Sequence, residues 1–228
     1  MDRMNQKAHI IVSELLGAFG GNELSPECLD GGLEMLRDDG FSIPQSYASY
    51  IVPITNNAVY SRIGDWRLRT MPSDFEQPYG VLLQRHHRLS EVQKCWSFHH
   101  PTKHVLENNS HNARQCTLEF VIDDSVPEEG GGSVIHGIAG YFDAVLYGDV
   151  TLSIHPDTAS EEMYSSHSWH PIYFPLLDPV ECDRGDKVTV HLWRKVSAEC
   201  VWYEWCLSTP TMSRIHNPFH RSYQINLQ

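Results

Sequence analysis

From residue 46 onward the chain is a succession of short apolar runs separated by Pro, Gly and Asp, and this succession limits the possible folds more than any other feature. In one run Val188, Val190 and Leu192 alternate with Thr, His and Trp, which is the period of a strand with two different faces. Helical periodicity is nearly absent here, so we predict a barrel or a sandwich over 44–228. The predicted strands are 46–53, 79–84, 94–98, 116–122, 134–146, 150–154, 172–177, 187–193, 201–207 and 221–225.

The first 43 residues have a different pattern, in which an apolar run over 8–12 leads into a glycine-rich turn and then a helix. Ser25 is the predicted cap of that helix, Pro26 its first residue and Gly40 its left-handed terminator. A strand, a glycine-rich turn and a helix form the half-unit of an α/β fold. We therefore predict an α+β, mostly β chain with a boundary between 1–43 and 44–228. The predicted apolar stripe of the helix is Cys28, Leu29, Leu33 and Leu36.

Two carboxylates, Glu14 and Glu23, flank the glycine-rich turn. Like charges at the end of a buried strand are costly unless a cation lies between them. A guanidinium suits such a pair, because it stays protonated and offers five N–H donors in a fixed fork. The spacing alone favours a solvated loop with two exposed acids, and an arginine-binding loop is the alternative.

The composition limits the range of partners. The formal net charge is −12, from 29 acids against 17 Lys and Arg, which argues against non-specific nucleic-acid binding and suits a basic substrate. The six cysteines show no CxxC spacing, which indicates reduced thiols in an intracellular protein. Histidines at 86–87, 99–100 and 104 match no zinc pattern, and no apolar run approaches the length of a membrane span. We therefore predict no metal, no direct nucleic-acid contact and no membrane contact.

The segment at about 60–77 mixes charges and aromatic residues without a clear period and is too long for an ordinary hairpin loop. It could be a disordered excursion. It could also be an arm that docks on another subunit, with Trp66, Leu68 and Met71 as its apolar anchors.

The string SELLGAFGGNELSPECLDG at 13–31 resembles the "double-E" loop of the protein arginine methyltransferases, in the form found in their type II members. Further similar strings are CTLEF at 116–120, HGIAGYFDAVLYGDVTLSIHP at 136–156, VWYEW at 201–205 and IHNPFHRSY at 215–223. The resemblance covers about residues 8–227. It implies the end of a Rossmann-like methyltransferase domain, followed by a β-barrel with a dimerisation arm.

The resemblance also assigns roles to particular residues. It implies that Glu14 and Glu23 are catalytic and hold and polarise the substrate guanidinium. It implies that Ser168 and Trp169 form a substrate loop, in which Trp169 packs on the substrate arginine; the other interpretation of Trp169 is a tryptophan at the edge of the core. The family usually has Phe where this chain has His170. The implied homo-oligomer forms through an arm that begins at Arg67 and ends at Ser73.

The implied function is symmetric dimethylation of arginine in histones and RNA-binding proteins, with S-adenosylmethionine as methyl donor, in the cytoplasm and nucleus. The family's glycine-rich donor loop, its ribose-binding acid and the domain that binds its WD-repeat partner do not occur in these 228 residues. We therefore expect a carboxyl-terminal fragment, short isoform or truncated gene model that binds no cofactor by itself. Two hypotheses stay open, an enzyme and an inactive β-barrel interaction module. An unrelated β-sandwich leaves the two acids unexplained.

Overall fold

A computed structural model describes residues 6–65, 71–83, 85–102, 105–106, 109–123, 133–160 and 169–227. In these ranges the chain has fourteen strands, two short α-helices and several 3-10 turns, so the prediction of a mostly β chain is confirmed. No helix in these ranges is long and apolar enough to cross a membrane.

The amino-terminal part contains strand β1 (Ala8–Val12), helix α1 (Ser25–Gly31) and strand β2 (Leu36–Ile43), with β1 and β2 paired in parallel. β1 lies where the sequence predicted it. The predicted helix to Gly40 is wrong, because residues 36–43 form a strand instead. Gly40 lies inside β2, where an added Cβ would come 2.5 Å from Leu36 Cδ1, so its lack of a side chain serves close packing.

The predicted apolar stripe of the helix is partly wrong as well. Leu29 and Leu36 are buried, whereas Cys28 is exposed and Leu33 is only half-buried. The predicted cap is also corrected: Leu24 caps the helix with a φ of 64°, and Ser25 is its first residue. Two consecutive glycines follow Asp30, and glycine is a poor helix former, which accounts for the early end of the helix.

The carboxyl-terminal part begins at residue 46. Helix α2 (Asn57–Ile63) follows its first strand. The strands are β3 (Ser46–Thr55), β4 (Tyr79–Gly80), β5 (His87–Arg88), β6 (Gln93–His99), β7 (Arg114–Val121), β8 (Ser133–Tyr147), β9 (Val150–Ser153), β10 (Ile172–Cys182), β11 (Lys187–Val196), β12 (Cys200–Thr209), β13 (Thr211–Met212) and β14 (Ile225–Asn226).

These strands form two antiparallel sheets. The seven-stranded sheet has the order β4-β10-β8-β3-β5, with β6 also paired to β3 and β9 to β8. The five-stranded sheet has the order β13-β12-β11-β7, with β14 also paired to β12. No β-ladder between described residues joins the two sheets, so closure into a barrel stays a prediction.

The apolar residues that alternate with polar ones in the sequence are the buried residues of their strands. Val188, Val190 and Leu192 on β11 are fully buried in the core, as are Tyr203 and Trp205 on β12. Two predicted strands are much shorter than expected. The strand predicted at 79–84 is only Tyr79–Gly80, and only Ile225–Asn226 remains of the strand predicted at 221–225.

The predicted arm is partly regular. It overlaps the end of α2 and includes a 3-10 turn, Pro72–Glu76, in which Phe75 is buried. The predicted anchors Trp66 and Leu68 lie outside the described residues. The third anchor, Met71, is 63% exposed.

Candidate functional site

The loop between Glu14 and Glu23 turns back on itself. Gly17 and Gly20 have φ values of +61° and +78°, a region that favours glycine. Glu23 Cγ lies 2.8 Å from the position that a Cβ on Gly17 would take. The Glu23 side chain therefore lies against the part of the loop that follows Glu14. Both carboxylate residues are exposed, so a basic group in solution can reach them.

Phe19 lies at the centre of this loop. Its ring is fully buried in the core of the carboxyl-terminal part from residue 46 onward, which we call the β part. Its ring makes edge contacts with Trp96, Phe174 and Tyr203 at centroid distances of 5.7, 5.5 and 6.1 Å. A Cβ on Gly140 of β8 would come 2.7 Å from the Phe19 ring, so the pocket depends on that glycine. The double-acid loop is thus fixed from its centre by the β sheets.

A second anchor is the buried ion pair between Arg194 of β11 and Glu27 of α1. Arg194 Nη1 donates to Glu27 Oε1 at 2.9 Å and Nη2 donates to Oε2 at 2.8 Å, which is a bidentate geometry. The same guanidinium donates to the carbonyl oxygens of Gly21 and Asn112 at 3.1 and 3.0 Å. Burial opposes its charge, but Tyr203 and Glu27 outweigh that effect and raise the pKa of Arg194.

A third anchor surrounds Asp30 at the end of α1, which is also buried. His111 Nε2 lies 2.7 Å from Asp30 Oδ2, and Asn112 Nδ2 donates to the same oxygen at 2.7 Å. The His111 and Asn112 segment belongs to the β part. The helix that follows Glu23 is therefore held to the β part at both of its buried acids.

The turn over 217–223 includes Tyr223, whose phenol is close enough to Glu23 to be affected by its charge. Asn217 is fully buried, and its carboxamide donates to the carbonyl oxygens of Tyr203 and Tyr223 and accepts from the amides of Ser222 and Tyr223. The turn thereby fixes the backbone of Tyr223. Burial raises the pKa of Tyr223, and the nearby charge of Glu23 raises it further. The phenol of Tyr223 therefore stays neutral at neutral pH.

The proposed substrate loop is described only in part, because Ser168 lies outside the described residues. Trp169 is half-buried and packs edge-on against Phe142, with ring centroids 6.3 Å apart. Phe142 Cβ in turn lies 3.5 Å from the position of a Cβ on Gly20. Trp169 is thus separated from the double-acid loop by one side chain, and it also packs at the edge of the core.

Several residues that shape this site were not identified from the sequence. The sequence did contain a signal for Arg194. This residue follows Leu192 by two positions, so it lies on the same inward face of the strand as Val188, Val190 and Leu192. A charged side chain at an inward position of a strand requires a buried partner. No local pattern indicates that the partner is Glu27, because 167 residues separate the two in sequence.

Comparison with known proteins identifies the family. A family profile described as "PRMT5 oligomerisation domain" matches residues 46–225, and one described as "PRMT5 arginine-N-methyltransferase" matches residues 2–43. The chain belongs to the protein arginine N-methyltransferase 5 family. The relative of that name from Xenopus laevis is 48% identical over 225 residues, which are 97% of this chain and 33% of the relative.

The relative of the same name from Oryza sativa subsp. indica is 46% identical over 222 residues, 97% of this chain and 32% of the relative. The chain therefore spans about a third of the length of these two curated relatives.

Two solved structures share the fold at low sequence identity. One is described as the Trypanosoma brucei PRMT1 enzyme-prozyme heterotetrameric complex with AdoHcy; it has a TM-score of 0.66 and 14% identity, over 98% of this chain and 68% of that chain. The other is Arabidopsis thaliana protein arginine methyltransferase 10, with a TM-score of 0.64 and 14% identity, over 98% and 71%. At this identity the likeness concerns the fold alone.

Proposed function

We propose that this chain supplies the substrate-arginine side of an S-adenosylmethionine-dependent protein arginine N-methyltransferase. The observation that carries the proposal is the double-acid loop: Glu14 and Glu23 face solvent, while the loop between them is fixed by Phe19. Solvated acids on a surface need no such anchoring. An anchored pair of carboxylates presents a fixed geometry to a cation.

The chemistry of methyl transfer to arginine explains why two acids are useful. A guanidinium spreads its charge and its lone pairs over three nitrogens, so it is a poor nucleophile. Glu14 and Glu23 together draw the positive charge toward the bonded nitrogens and leave the remaining nitrogen more electron-rich. They also hold that nitrogen in one orientation, which lowers the entropic cost of the displacement.

The methyl group in this family comes from S-adenosylmethionine, which binds in a glycine-rich cradle. The glycines of the described loop do not form one, because Cβ atoms added at Gly17, Gly20 and Gly21 would meet the Glu23, Tyr47 and Phe98 side chains within 3.4 Å. We assign the cofactor no residue here and propose that the 228-residue chain alone binds none. The parallel pairing of β1 with β2 supports the proposal that 1–43 is the end of a Rossmann-like domain and 44–228 is a separate barrel domain.

The proposed substrates are arginine-rich segments of histones and RNA-binding proteins in the cytoplasm and nucleus. The net charge of −12 suits attraction of such basic chains. Within the site, we assign Ser168 and Trp169 to substrate contact. The stacking of an indole on a guanidinium is worth on the order of 0.5–2 kcal/mol.

The direct test is methyl transfer by the protein extended to the length of its relatives. We expect transfer to an arginine-glycine peptide, with symmetric dimethylarginine among the products. A peptide of the same sequence with lysine in place of arginine is the matched control and should accept no methyl group. Equal transfer to both peptides, or to neither, would contradict the proposal.

We also propose that the protein self-associates through the arm between Arg67 and Ser73. The description of the family match over 46–225 as an oligomerisation domain supports this. So does the root of the arm: the buried Glu76 carboxylate accepts from Arg221 and from Ser222 Oγ, which ties the arm to the turn over 217–223. Hydrogen bonding from Arg221 lowers the pKa of Glu76, so the carboxylate stays ionised and paired at neutral pH.

Deletion of residues 67–73 should convert the extended protein to a smaller species in sedimentation velocity. The deletion removes two of the three predicted apolar anchors, Leu68 and Met71. Deletion of 126–132, seven residues with the sequence VPEEGGG, is the length-matched control and should leave the sedimentation coefficient unchanged. Equal sedimentation coefficients for the two deletion variants would show that the arm does not mediate self-association.

A further inference from the structure

We propose that Arg194 is a positioning residue for arginine methylation, because its guanidinium holds the chain on both sides of Glu23, at Gly21 and at Glu27. The inference rests on the proposed function. Its structural basis is that a single nitrogen, Nη2, donates both to the Gly21 carbonyl oxygen at 3.1 Å and to Glu27 Oε2 at 2.8 Å.

The segment between Gly21 and Glu27 contains Glu23 and a strained turn that sets the direction of the Glu23 side chain. Leu24 has a φ of 64°, an unfavourable conformation for a residue with a branched side chain. Such a conformation persists only where the surroundings enforce it. Gly21 precedes the turn and Glu27 follows it, so a guanidinium bonded to both limits the backbone positions that Glu23 can take.

The remaining contacts fix Arg194 itself. Its Nη1 donates to the Asn112 carbonyl oxygen, and the Asn112 side chain donates to Asp30 on the same helix as Glu27. The guanidinium also lies over the Phe98 ring, with Cζ 5.5 Å from the ring centroid. The side chain is fully buried, so its position is set by these partners rather than by solvent.

Stability of the fold is a weak reason for such a pair. The desolvation of two buried charges offsets much of their attraction, and apolar side chains of similar volume often serve equally well. Apolar side chains, however, cannot direct the Gly21 carbonyl. The ion pair is therefore suited to orienting the carboxylate-bearing loop, since a misplacement of about 1 Å can reduce a rate by about 100-fold.

The test replaces the pair together, as Arg194→Met with Glu27→Met, in the extended protein. We expect the unfolding midpoint to stay the same or rise, whereas kcat for an arginine-glycine peptide falls roughly 10- to 100-fold and KM changes little. Arg194→Lys keeps the charge but not the fork, and we expect a smaller loss of kcat. Hydrogen exchange at the amides of 17–24 should become faster in both variants, while exchange in β11 and β12 stays slow.

The matched control is Lys187→Met with Glu119→Met, which removes an exposed ion pair of 2.8 Å between Lys187 on β11 and Glu119 on β7. It should change neither kcat nor exchange in 17–24. A folded Arg194 and Glu27 variant with kcat within twofold of the parent and unchanged exchange would overturn the positioning role. If the double variant does not fold, the Arg194→Lys variant tests the positioning role instead, by its kcat and by hydrogen exchange at the amides of 17–24. An inactive parent protein would instead contradict the proposed function itself, and the positioning role with it.

Discussion

Glu23→Gln should reduce methyl transfer to an arginine-glycine peptide by roughly 100- to 1,000-fold or more in the extended protein. The change keeps the size of the side chain but removes a charge from the guanidinium pair, and the loss of one preorganised electrostatic contact in an active site typically has this magnitude. Glu14→Gln should have an effect of the same order. Initial rates with radiolabelled S-adenosylmethionine, at saturating and limiting peptide, measure both variants.

The control for these variants is Glu34→Gln, which makes the same chemical change at an exposed acid of the same part of the chain. It should leave the rate unchanged, because Glu34 lies in the 3-10 turn after α1 and outside the double-acid loop. Near-native turnover by either the Glu14 or the Glu23 variant would remove that residue from catalysis. A comparable loss in the Glu34 variant would show that overall charge, rather than the paired geometry, governs the rate.

Phe19→Ala should lower the free energy of unfolding by about 3–5 kcal/mol, the usual cost of emptying a fully buried aromatic site. The ring fills a pocket between Trp96, Phe174 and Tyr203, and these side chains cannot close it without leaving their own strands. Urea denaturation of the 228-residue chain, followed by tryptophan fluorescence, gives the midpoint and slope from which the change is calculated.

Phe219→Ala provides a matched control for Phe19→Ala. Phe219 is 84% exposed, so the same substitution removes almost no buried surface and should change the free energy of unfolding by less than about 0.5 kcal/mol. Equal effects at the two positions would show that the loop is not anchored by Phe19. The contrast also tests whether the loop that carries the two acids belongs to the same cooperative unit as the β sheets.

The β part was largely predictable because its strands have two different faces. The alternation around Val190 and around Tyr203 reports burial directly, since each strand turns successive side chains to opposite sides. The region after α1 was misread because Leu29, Leu33 and Leu36 also fit a helical period. The strand β2 has a polar, exposed centre at residues 37–39, and only its pairing with β1 makes it a strand.

The candidate site was predictable only as far as its chemistry is local. Glu14 and Glu23 share one loop, so their spacing was visible in the sequence. The pocket for Phe19 and the pair between Glu27 and Arg194 join residues far apart along the chain, and no short-range pattern encodes such contacts. Arg194 was recognisable as an inward-facing charge, but its partner depends on how the two parts of the chain pack.

The contact between Phe19 and Gly140 limits which substitutions these positions can accept during evolution. A methyl group at position 140 would come 2.7 Å from the Phe19 ring and 2.5 Å from Ile172 Cγ2, so position 140 can gain a side chain only if positions 19 and 172 both become smaller. Substitutions at these three positions should therefore arise together along a lineage, with smaller residues at both 19 and 172 wherever 140 carries a side chain. A lineage that loses the aromatic ring at 19 should still keep glycine at 140 unless position 172 also becomes smaller, because Ile172 Cγ2 lies 2.5 Å from the added methyl group.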